Sequence, residues 1–244
     1  MKNKIENSQL QINPIKYREF LLYFITRKRS HSDKKILKEV FEDDIYGKII
    51  KHLSGAVIDC GSYIGETPIL FSLLGAKQVY AYEPNPDLYK LMLKNIVLNS
   101  NVANNIVTVN KAVGDKSAEG VIVNGRANLS FGIGRHPPFL SKEDTYSVTV
   151  KNINEILKEI IRVHKKIELI KIDIEGYEAK VIETILNGYY DKIKTMIIEC
   201  HNNKKLEIVL RKFKDFNNWT IHIVSKTKKK THTLTLLYLI NKKI

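Results

Sequence analysis

The chain has 244 residues, of which 43% are hydrophobic, enough for one domain with a full core and an extension. Its 40 lysines and arginines against 26 acidic residues give a net charge of +14, which favours phosphorylated or carboxylated partners, nucleic acid or an anionic membrane surface. Two cysteines exclude a disulfide framework, and no apolar run reaches the roughly 20 residues of a membrane span. We expect a cytoplasmic protein without a transmembrane segment.

The first fifty residues are predicted to form helices. Residues 14–29 place Ile15, Phe20 and Phe24 at helical spacing, and residues 32–53 follow as a second helix with Ser32 as its N-cap. We therefore divide the chain into an N-terminal helical extension, residues 1–52, and a main domain, residues 53–244.

From residue 56 onward, short runs rich in valine and isoleucine alternate with helical segments. Continuously apolar strands of this kind predict an α/β fold with a parallel sheet covered by helices on both faces. Near the end, residues 219–225 and 234–241 flank a basic turn and predict an antiparallel hairpin. The predicted strands are 56–60, 78–82, 106–110, 167–173 and 195–200, and the predicted helices are 67–74, 86–99, 153–163 and 178–186.

The turn after the first strand carries the pattern D-x-G-x-x-x-G, formed by Asp59, Gly61 and Gly65. A dinucleotide fingerprint requires G-x-G-x-x-G and a Walker loop requires G-x-x-x-x-G-K-S/T, and the chain has neither. Glycines between a strand and a helix let a ligand approach the backbone next to favourable amide dipoles. The pattern is the form found in class I S-adenosylmethionine-dependent methyltransferases.

The next two strands end in polar residues at the same predicted edge of the sheet. Glu83 stands where an acid would accept hydrogen bonds from both ribose hydroxyls, and Asn110 opens the turn where adenine should lie. A glycine loop, an acid and a polar turn in this order predict a nucleotide-type cofactor site.

Several blocks of sequence resemble the FkbM family of methyltransferases, with the match extending from about Ala56 to Glu199. They are "VIDCGSYIGETPILFS", "VYAYEPNPDLYKLMLKNIVLN", "VNKAVGD", "VTVKNINEIL" and, most specifically, "LIKIDIEGYEAKVIE". Ser62 and Tyr63 replace the usual alanine-asparagine pair of the glycine loop, and "INEI" replaces "LDDL" before the fourth helix. Tyr63 could alter how the methionine end of the cofactor is covered.

The resemblance implies a class I methyltransferase Rossmann-like fold with a seven-stranded, mostly parallel sheet of order 3-2-1-4-5-7-6 and an antiparallel last strand. It also implies S-adenosyl-L-methionine as cofactor and O-methylation of a hydroxyl on a sugar, glycolipid or natural-product acceptor. The predicted cofactor-binding residues are Asp59, Gly61, Ser62, Tyr63, Gly65, Glu83, Pro84, Asn110, Ala112 and Asp173.

The candidate catalytic residues Asp173, Glu175, Glu199 and His201 follow the fourth and fifth strands. An alcohol attacks a sulfonium methyl group poorly unless a base accepts its proton, so His201 or Asp173 is the predicted base, with the other carboxylates orienting it. Alternatively, all four residues share Mg²⁺ or Mn²⁺ and lower the pKa of the acceptor hydroxyl. We prefer the metal-free arrangement. Glu178 and Lys180 are interpreted as an exposed helix face.

Residues 124–146 are the longest segment without periodicity and are interpreted as an acceptor-binding lid. Two alternatives to a small-molecule, glycan or lipid-linked acceptor remain open: RNA methylation, supported by the charge, and a non-catalytic protein that docks on membrane surfaces. The sequence leaves the oligomeric state open. The lid residues singled out are Gly125, Arg126, Gly132, Gly134, Arg135 and His136.

Overall fold

The computed structural model describes residues 9–124, 129–132, 145–214, 216–228 and 233–244. None of the helices within these ranges combines the length and apolar character that crossing a bilayer requires. The strands are β1 Leu10–Tyr17, β2 Phe20–Arg27, β3 Ala56–Cys60, β4 Gln78–Tyr82, β5 Ile106–Val109, β6 Ala112–Gly114, β7 Ala118–Asn124, β8 Leu129–Gly132, β9 Thr145–Asn152, β10 Ile167–Ile172, β11 Ile193–Cys200, β12 Trp219–Lys228 and β13 Thr233–Asn241. The helices are α1 His31–Leu37, a π-helical turn Lys38–Glu42, α2 Glu66–Leu73, α3 Pro86–Leu98, α4 Ile153–His164, α5 Glu178–Thr184, α6 Asn187–Tyr190 and α7 Asn203–Lys214.

A seven-stranded sheet in the order β5-β4-β3-β10-β11-β13-β12 forms the centre of the molecule. β3, β4, β5, β10 and β11 pair in parallel, whereas β13 is antiparallel to both of its neighbours. All five residues of β3 are buried, as expected for a strand covered on both faces. The predicted fold, strand order and C-terminal hairpin are confirmed.

Helices cover both faces of this sheet and create two cores. One core packs α4, α5 and α7 against the sheet, and the other packs α2, α3 and the N-terminal segment against the opposite face. The strand order reverses between β3 and β10. Because β3, β4, β10 and β11 run parallel, the turns after them meet at one edge. Ligands of open α/β sheets bind at such an edge.

The prediction of helix over residues 14–29 is wrong, because this segment forms the antiparallel hairpin β1–β2. Leu22, Phe24 and Thr26 are buried while Leu21 and Tyr23 are exposed, a period-2 pattern that a helical reading of the same apolar residues misses.

The second predicted helix is much shorter than residues 32–53, because only α1 and the π-helical turn form. Its N-cap is Ser30, whose hydroxyl accepts a hydrogen bond from the Asp33 N–H, and the assignment of Ser32 to this role is wrong. The extension is therefore mixed in structure, and the boundary between residues 1–52 and 53–244 stays a prediction.

A second sheet of order β6-β9-β7-β8 includes part of the predicted lid, where the sequence analysis expected only a loop. Of the lid residues singled out, only Gly132 falls in a described strand. Gly125, Arg126, Gly134, Arg135 and His136 lie outside the described residues, so the lid stays a prediction.

Cys60 ends β3 and Cys200 ends β11, with β10 between these two strands. Both cysteines are buried free thiols. The sheet order therefore keeps these two thiols apart.

The N-terminal hairpin β1–β2 is attached to α3 through two buried asparagines. Asn95 Oδ1 accepts from the Ile25 N–H at 2.6 Å and its Nδ2 donates to the Ile64 carbonyl at 2.8 Å. Asn99 Oδ1 accepts from the Tyr23 N–H at 3.0 Å. Side-chain amides thus supply hydrogen bonds that a longer sheet would give to β2.

Asn95→Ala is expected to lower the free energy of unfolding by about 1–3 kcal/mol, because it leaves buried backbone groups of Ile25 and Ile64 without partners. Urea denaturation measures this change. Asn101→Ala, at an exposed turn position, is the control and should shift stability by less than about 0.5 kcal/mol. Equal losses in the two variants would contradict the anchoring role of Asn95.

Candidate functional site

The glycine loop lies between β3 and α2, with Gly61 at φ +87° and Gly65 at φ +95°. A Cβ atom on Gly61 would lie 1.8 Å from the carbonyl oxygen of Asp173, so this glycine is required by close contact with the end of β10. The sequence predicts that the bare backbone here admits a ligand. The structure adds a second requirement at Gly61, where the missing side chain allows two strand ends to touch.

Asp59 points into the protein and is fully buried. Its Oδ2 accepts a hydrogen bond from Thr67 Oγ1 at 2.6 Å, and its Oδ1 lies 3.2 Å from Lys171 Nζ. Ser62 is also buried and donates to the Asp59 carbonyl at 3.1 Å. These side chains brace the loop from inside.

Lys171 was missed by sequence reasoning, although it stands among apolar residues near the end of strand β10. Its ammonium group lies 3.2 Å from Asp59 Oδ1, 3.0 Å from the Gly61 carbonyl and 3.8 Å from Asp173 Oδ2. Burial lowers the pKa of Lys171, and the charges of Asp59 and Asp173 more than offset this, so the pKa lies well above its ordinary value. A lysine inside a doubly covered strand must be paired, and that rule could have identified it.

Glu83 follows β4 with only 4% of its surface exposed. Its carboxylate accepts hydrogen bonds from the backbone N–H groups of Tyr63 and Asn85, each at 2.9 Å. Burial raises its pKa to about 8, against the effect of these two hydrogen bonds. Asn110 donates to the carbonyls of Glu83 and Pro84 at 2.8 and 3.1 Å. The structure therefore brings the turns after β3, β4 and β5 together.

Tyr63 and Ala112 complete the predicted cofactor set. Tyr63 has φ +47°, and its hydroxyl donates to Asp33 Oδ1 at 2.7 Å. Ala112 is buried in β6, immediately after the Asn110 turn.

A second group of candidate site residues follows β10 and β11. Asp173, Glu199 and His201 each offer a ligand atom, and these atoms all lie within 4.8 Å of one another. Glu175 joins the group through its Oε2, which lies 3.3 Å from His201 Nε2. The structure thus assembles all four predicted catalytic residues, which were separated in sequence.

The prediction that Glu178 lies on an exposed helix face is wrong. Glu178 is fully buried, and its Oε1 accepts from the Gly176 N–H at 2.6 Å and lies 2.9 Å from His201 Nδ1. At this distance the carboxylate forms an ion pair with His201 when the imidazole is protonated. Helical spacing alone does not reveal that the turn Ile174–Gly176 folds over this carboxylate. Lys180 is exposed, as predicted.

The charges in this group shift its proton equilibria. Burial lowers the pKa of His201, but Glu175 and Glu178 more than offset this and raise it to about 11. The charge of Asp173, together with burial, raises the pKa of Glu199 to about 8. Burial raises the pKa of Asp173, although Lys171 and His201 oppose this. The imidazole is therefore cationic at neutral pH, while the two carboxylates are unusually basic.

Two carboxylates and an imidazole are donors that suit Mg²⁺ or Mn²⁺ if the histidine is neutral. The raised pKa of His201 disfavours ligation, because a ligating imidazole must lose its proton.

The sequence profile of the Methyltransferase FkbM domain family matches residues 59–223, about two thirds of the chain. The chain belongs to this family. The matched FkbM domain begins at Asp59 and includes the glycine loop, Glu83 and the entire group after β10 and β11. The chain is an S-adenosylmethionine-dependent methyltransferase.

Solved methyltransferase structures share the fold of this FkbM protein. TrmK of M. capricolum, solved with S-adenosyl-homocysteine, has a TM-score of 0.50 and 20% identity over 82% of this chain and 67% of its own. The FkbM methyltransferase of Methylobacillus flagellatus KT has a TM-score of 0.52 and 18% identity over 76% of this chain and 43% of its own. Trm5b of Pyrococcus abyssi has a TM-score of 0.52 and 15% identity over 97% of this chain and 56% of its own.

The present chain therefore spans about half the length of the latter two proteins. A search of curated proteins gives no significant match.

Lys171→Met is expected to lower the free energy of unfolding by about 3–5 kcal/mol, because the buried carboxylate of Asp59 loses its cation. Urea denaturation with circular dichroism measures the loss. Lys180→Met, which removes an exposed lysine 4.0 Å from Asp115, is the matched control. A Lys171 variant as stable as the control would show that the buried ion pair contributes nothing to the fold.

Proposed function

We propose that this FkbM methyltransferase transfers the methyl group of S-adenosylmethionine to a hydroxyl group on a sugar, glycolipid or natural-product acceptor. The observation that carries the proposal is the group formed by Asp173, Glu199 and His201, which lies two to three strands away from Glu83 at the same edge of the sheet. Methyl transfer to an alcohol needs a proton acceptor at this edge, and the group supplies carboxylates with raised pKa values.

The cofactor is proposed to bind across the turns after β3, β4 and β5. Glu83 would accept hydrogen bonds from the ribose hydroxyls, and Asn110 would border adenine. The methionine end would lie over Gly61 and Gly65, which directs the sulfonium methyl group toward Asp173. In support, Glu83 keeps acceptor capacity, since each of its oxygens accepts one backbone N–H in the described residues.

Asp173 is the proposed base. A protonated His201 cannot accept a proton, so the imidazolium instead stabilises the carboxylates beside it. Asp173 retains 24% side-chain exposure and can be reached by an acceptor, whereas Glu178 is fully buried and orients His201. The charge of Asp173 raises the pKa of Glu199, so the protonation of one acid depends on that of the other.

RNA is the second candidate acceptor, favoured by the net charge of +14 and by exposed Lys226 and Lys228 on β12. Electrostatic binding to RNA or to an anionic membrane surface weakens steeply with salt, whereas turnover of a neutral small acceptor does not.

The function is tested by offering glycan, lipid and RNA fractions together with S-adenosylmethionine that carries a labelled methyl group. Mass spectrometry then locates the label. Label on a carbohydrate or lipid hydroxyl supports the proposal. Label confined to RNA bases would replace it with the second candidate.

The affinity for S-adenosyl-homocysteine is expected to rise with pH up to about 8, where free Glu83 becomes ionised. Ribose hydroxyls donate to the carboxylate form, so binding below this pH must first remove the proton. Glu83→Gln should bind about 1.5–3 kcal/mol more weakly and lose this part of the pH dependence. Calorimetry across the pH range measures both. Identical pH profiles for the two proteins would exclude Glu83 as the ribose ligand.

Asp173→Asn and Glu199→Gln are expected to slow methyl transfer by about 10²–10⁴-fold while leaving the affinity for S-adenosyl-homocysteine within a few-fold of wild type. Single-turnover rates and calorimetry separate these effects. Asp191→Asn, at an exposed carboxylate, is the control and should retain the full rate. Rates within a few-fold of wild type in both acid variants would place the base elsewhere.

Loss of activity with chelator and its recovery with Mg²⁺ or Mn²⁺ would favour the metal-assisted mechanism.

A further inference from the structure

A buried polar cluster joins the N-terminal segment to the glycine loop. Asp33 is fully buried in α1, and its carboxylate accepts from the Arg27 N–H at 2.8 Å, from Arg27 Nη2 at 2.5 Å and from the Ser30 hydroxyl at 2.8 Å. The Tyr63 hydroxyl also donates to it at 2.7 Å. Asp33 therefore organises the segment after β2 and at the same time holds a side chain of the loop.

Arg27 reinforces this attachment from the other side of the hydroxyl. Its Nη2 donates to the Tyr63 oxygen at 2.6 Å, and its guanidinium carbon lies 5.7 Å from the centre of the Tyr63 ring. Burial raises the pKa of the Tyr63 hydroxyl, so the group stays protonated and can donate to Asp33. The ring is thus held by one charge-assisted hydrogen bond from a cation and another to an anion.

Tyr63 needs such support because its backbone has φ +47°, a left-handed conformation that is unfavourable for an aromatic residue. This conformation directs the Tyr63 N–H to Glu83 Oε2 at 2.9 Å. The chain of contacts therefore runs from Asp33 through the Tyr63 hydroxyl and backbone to the carboxylate of Glu83. Asp33 and Arg27 both precede residue 59, where the match to the FkbM family begins.

We infer that the segment preceding the FkbM domain is a working part of the cofactor site, in which Asp33 and Arg27 position Tyr63 and, through it, Glu83. The inference rests on the proposed placement of the cofactor. Without the cluster, the loop relaxes from its left-handed conformation, and cofactor binding must first restore it. Asp33 is a positioning residue, because it acts on the cofactor only through Tyr63.

The test is a double-mutant cycle of Asp33→Asn and Tyr63→Phe, with calorimetric titration of S-adenosyl-homocysteine and urea denaturation of each variant. Each single variant is expected to bind about tenfold more weakly, which corresponds to about 1.4 kcal/mol. The double variant should bind S-adenosyl-homocysteine no more than about threefold more weakly than the single variant of lower affinity. The reason is that both substitutions remove the same hydrogen bond between Tyr63 and Asp33.

Tyr17→Phe is the matched control. The Tyr17 hydroxyl donates to Asp44 Oδ1 at 2.8 Å, so this variant loses the same type of tyrosine–aspartate bond in the same N-terminal segment, and this bond does not involve the glycine loop. It should lose stability yet bind S-adenosyl-homocysteine within about twofold of wild type. A purely structural role of the cluster would lower stability in the same way and leave the affinity unchanged in all variants.

Wild-type affinity in Tyr63→Phe, or independent and additive losses in the cycle, would overturn the inference. If Asp33→Asn does not fold, the comparison of Tyr63→Phe with Tyr17→Phe decides the question. Glu83→Gln distinguishes the positioning role of Tyr63 from the placement of the cofactor itself. Weak binding by Glu83→Gln with normal binding by Tyr63→Phe rejects only the positioning role, whereas normal binding by Glu83→Gln rejects the cofactor placement on which the role rests.

Discussion

The buried ammonium group of Lys171 links the parts of the site. It contacts Asp59 at the end of β3, the carbonyl of Gly61 in the glycine loop and Asp173 beyond β10. An unpaired charge at this depth would be strongly unfavourable, so the two carboxylates and the lysine must be placed together. Neighbouring parallel strands satisfy this demand, because Lys171 and Asp59 are paired in register.

This constraint orders the chemistry on both sides of it. On the side of β3, Asp59 is held by Lys171 and Thr67 and keeps the glycine loop closed over the sheet edge. On the side of β11, the charge of Lys171 counteracts the mutual repulsion of Asp173 and Glu199. His201, fixed by Glu175 and Glu178, contributes a second positive charge. The proposed cofactor side and the proposed catalytic side therefore share one electrostatic network.

The N-terminal segment changes how the domain is understood. Its hairpin is attached to α3 by Asn95 and Asn99, and its helix α1 carries the carboxylate that holds Tyr63. An asparagine at position 63 would tolerate a left-handed backbone better than tyrosine does. The tyrosine of this chain depends on partners supplied by residues before the family match.

The sequence by itself determined the sheet, the strand order and the position of the glycine loop. Apolar runs of five residues that alternate with amphipathic helices leave few ways to bury both faces of a sheet, and the "KIDIEGYE" block added the topology through its resemblance to a family. Polar residues at strand ends likewise indicated Glu83, Asp173, Glu199 and His201 without a structure. These features are local, and the edge at which parallel strands end brings them together.

Only the tertiary structure decided the N-terminal hairpin, the partners of Lys171 and Tyr63, and the role of Glu178. The apolar residues of β2 fit helical and strand periodicity alike, and the asparagines that favour the strand are 70 or more residues away. Glu178 has helical spacing typical of an exposed face and is buried by a turn that folds back over it. In each case the deciding contact comes from a distant segment or from the shape of a turn, and residue type and local periodicity contain no information about either.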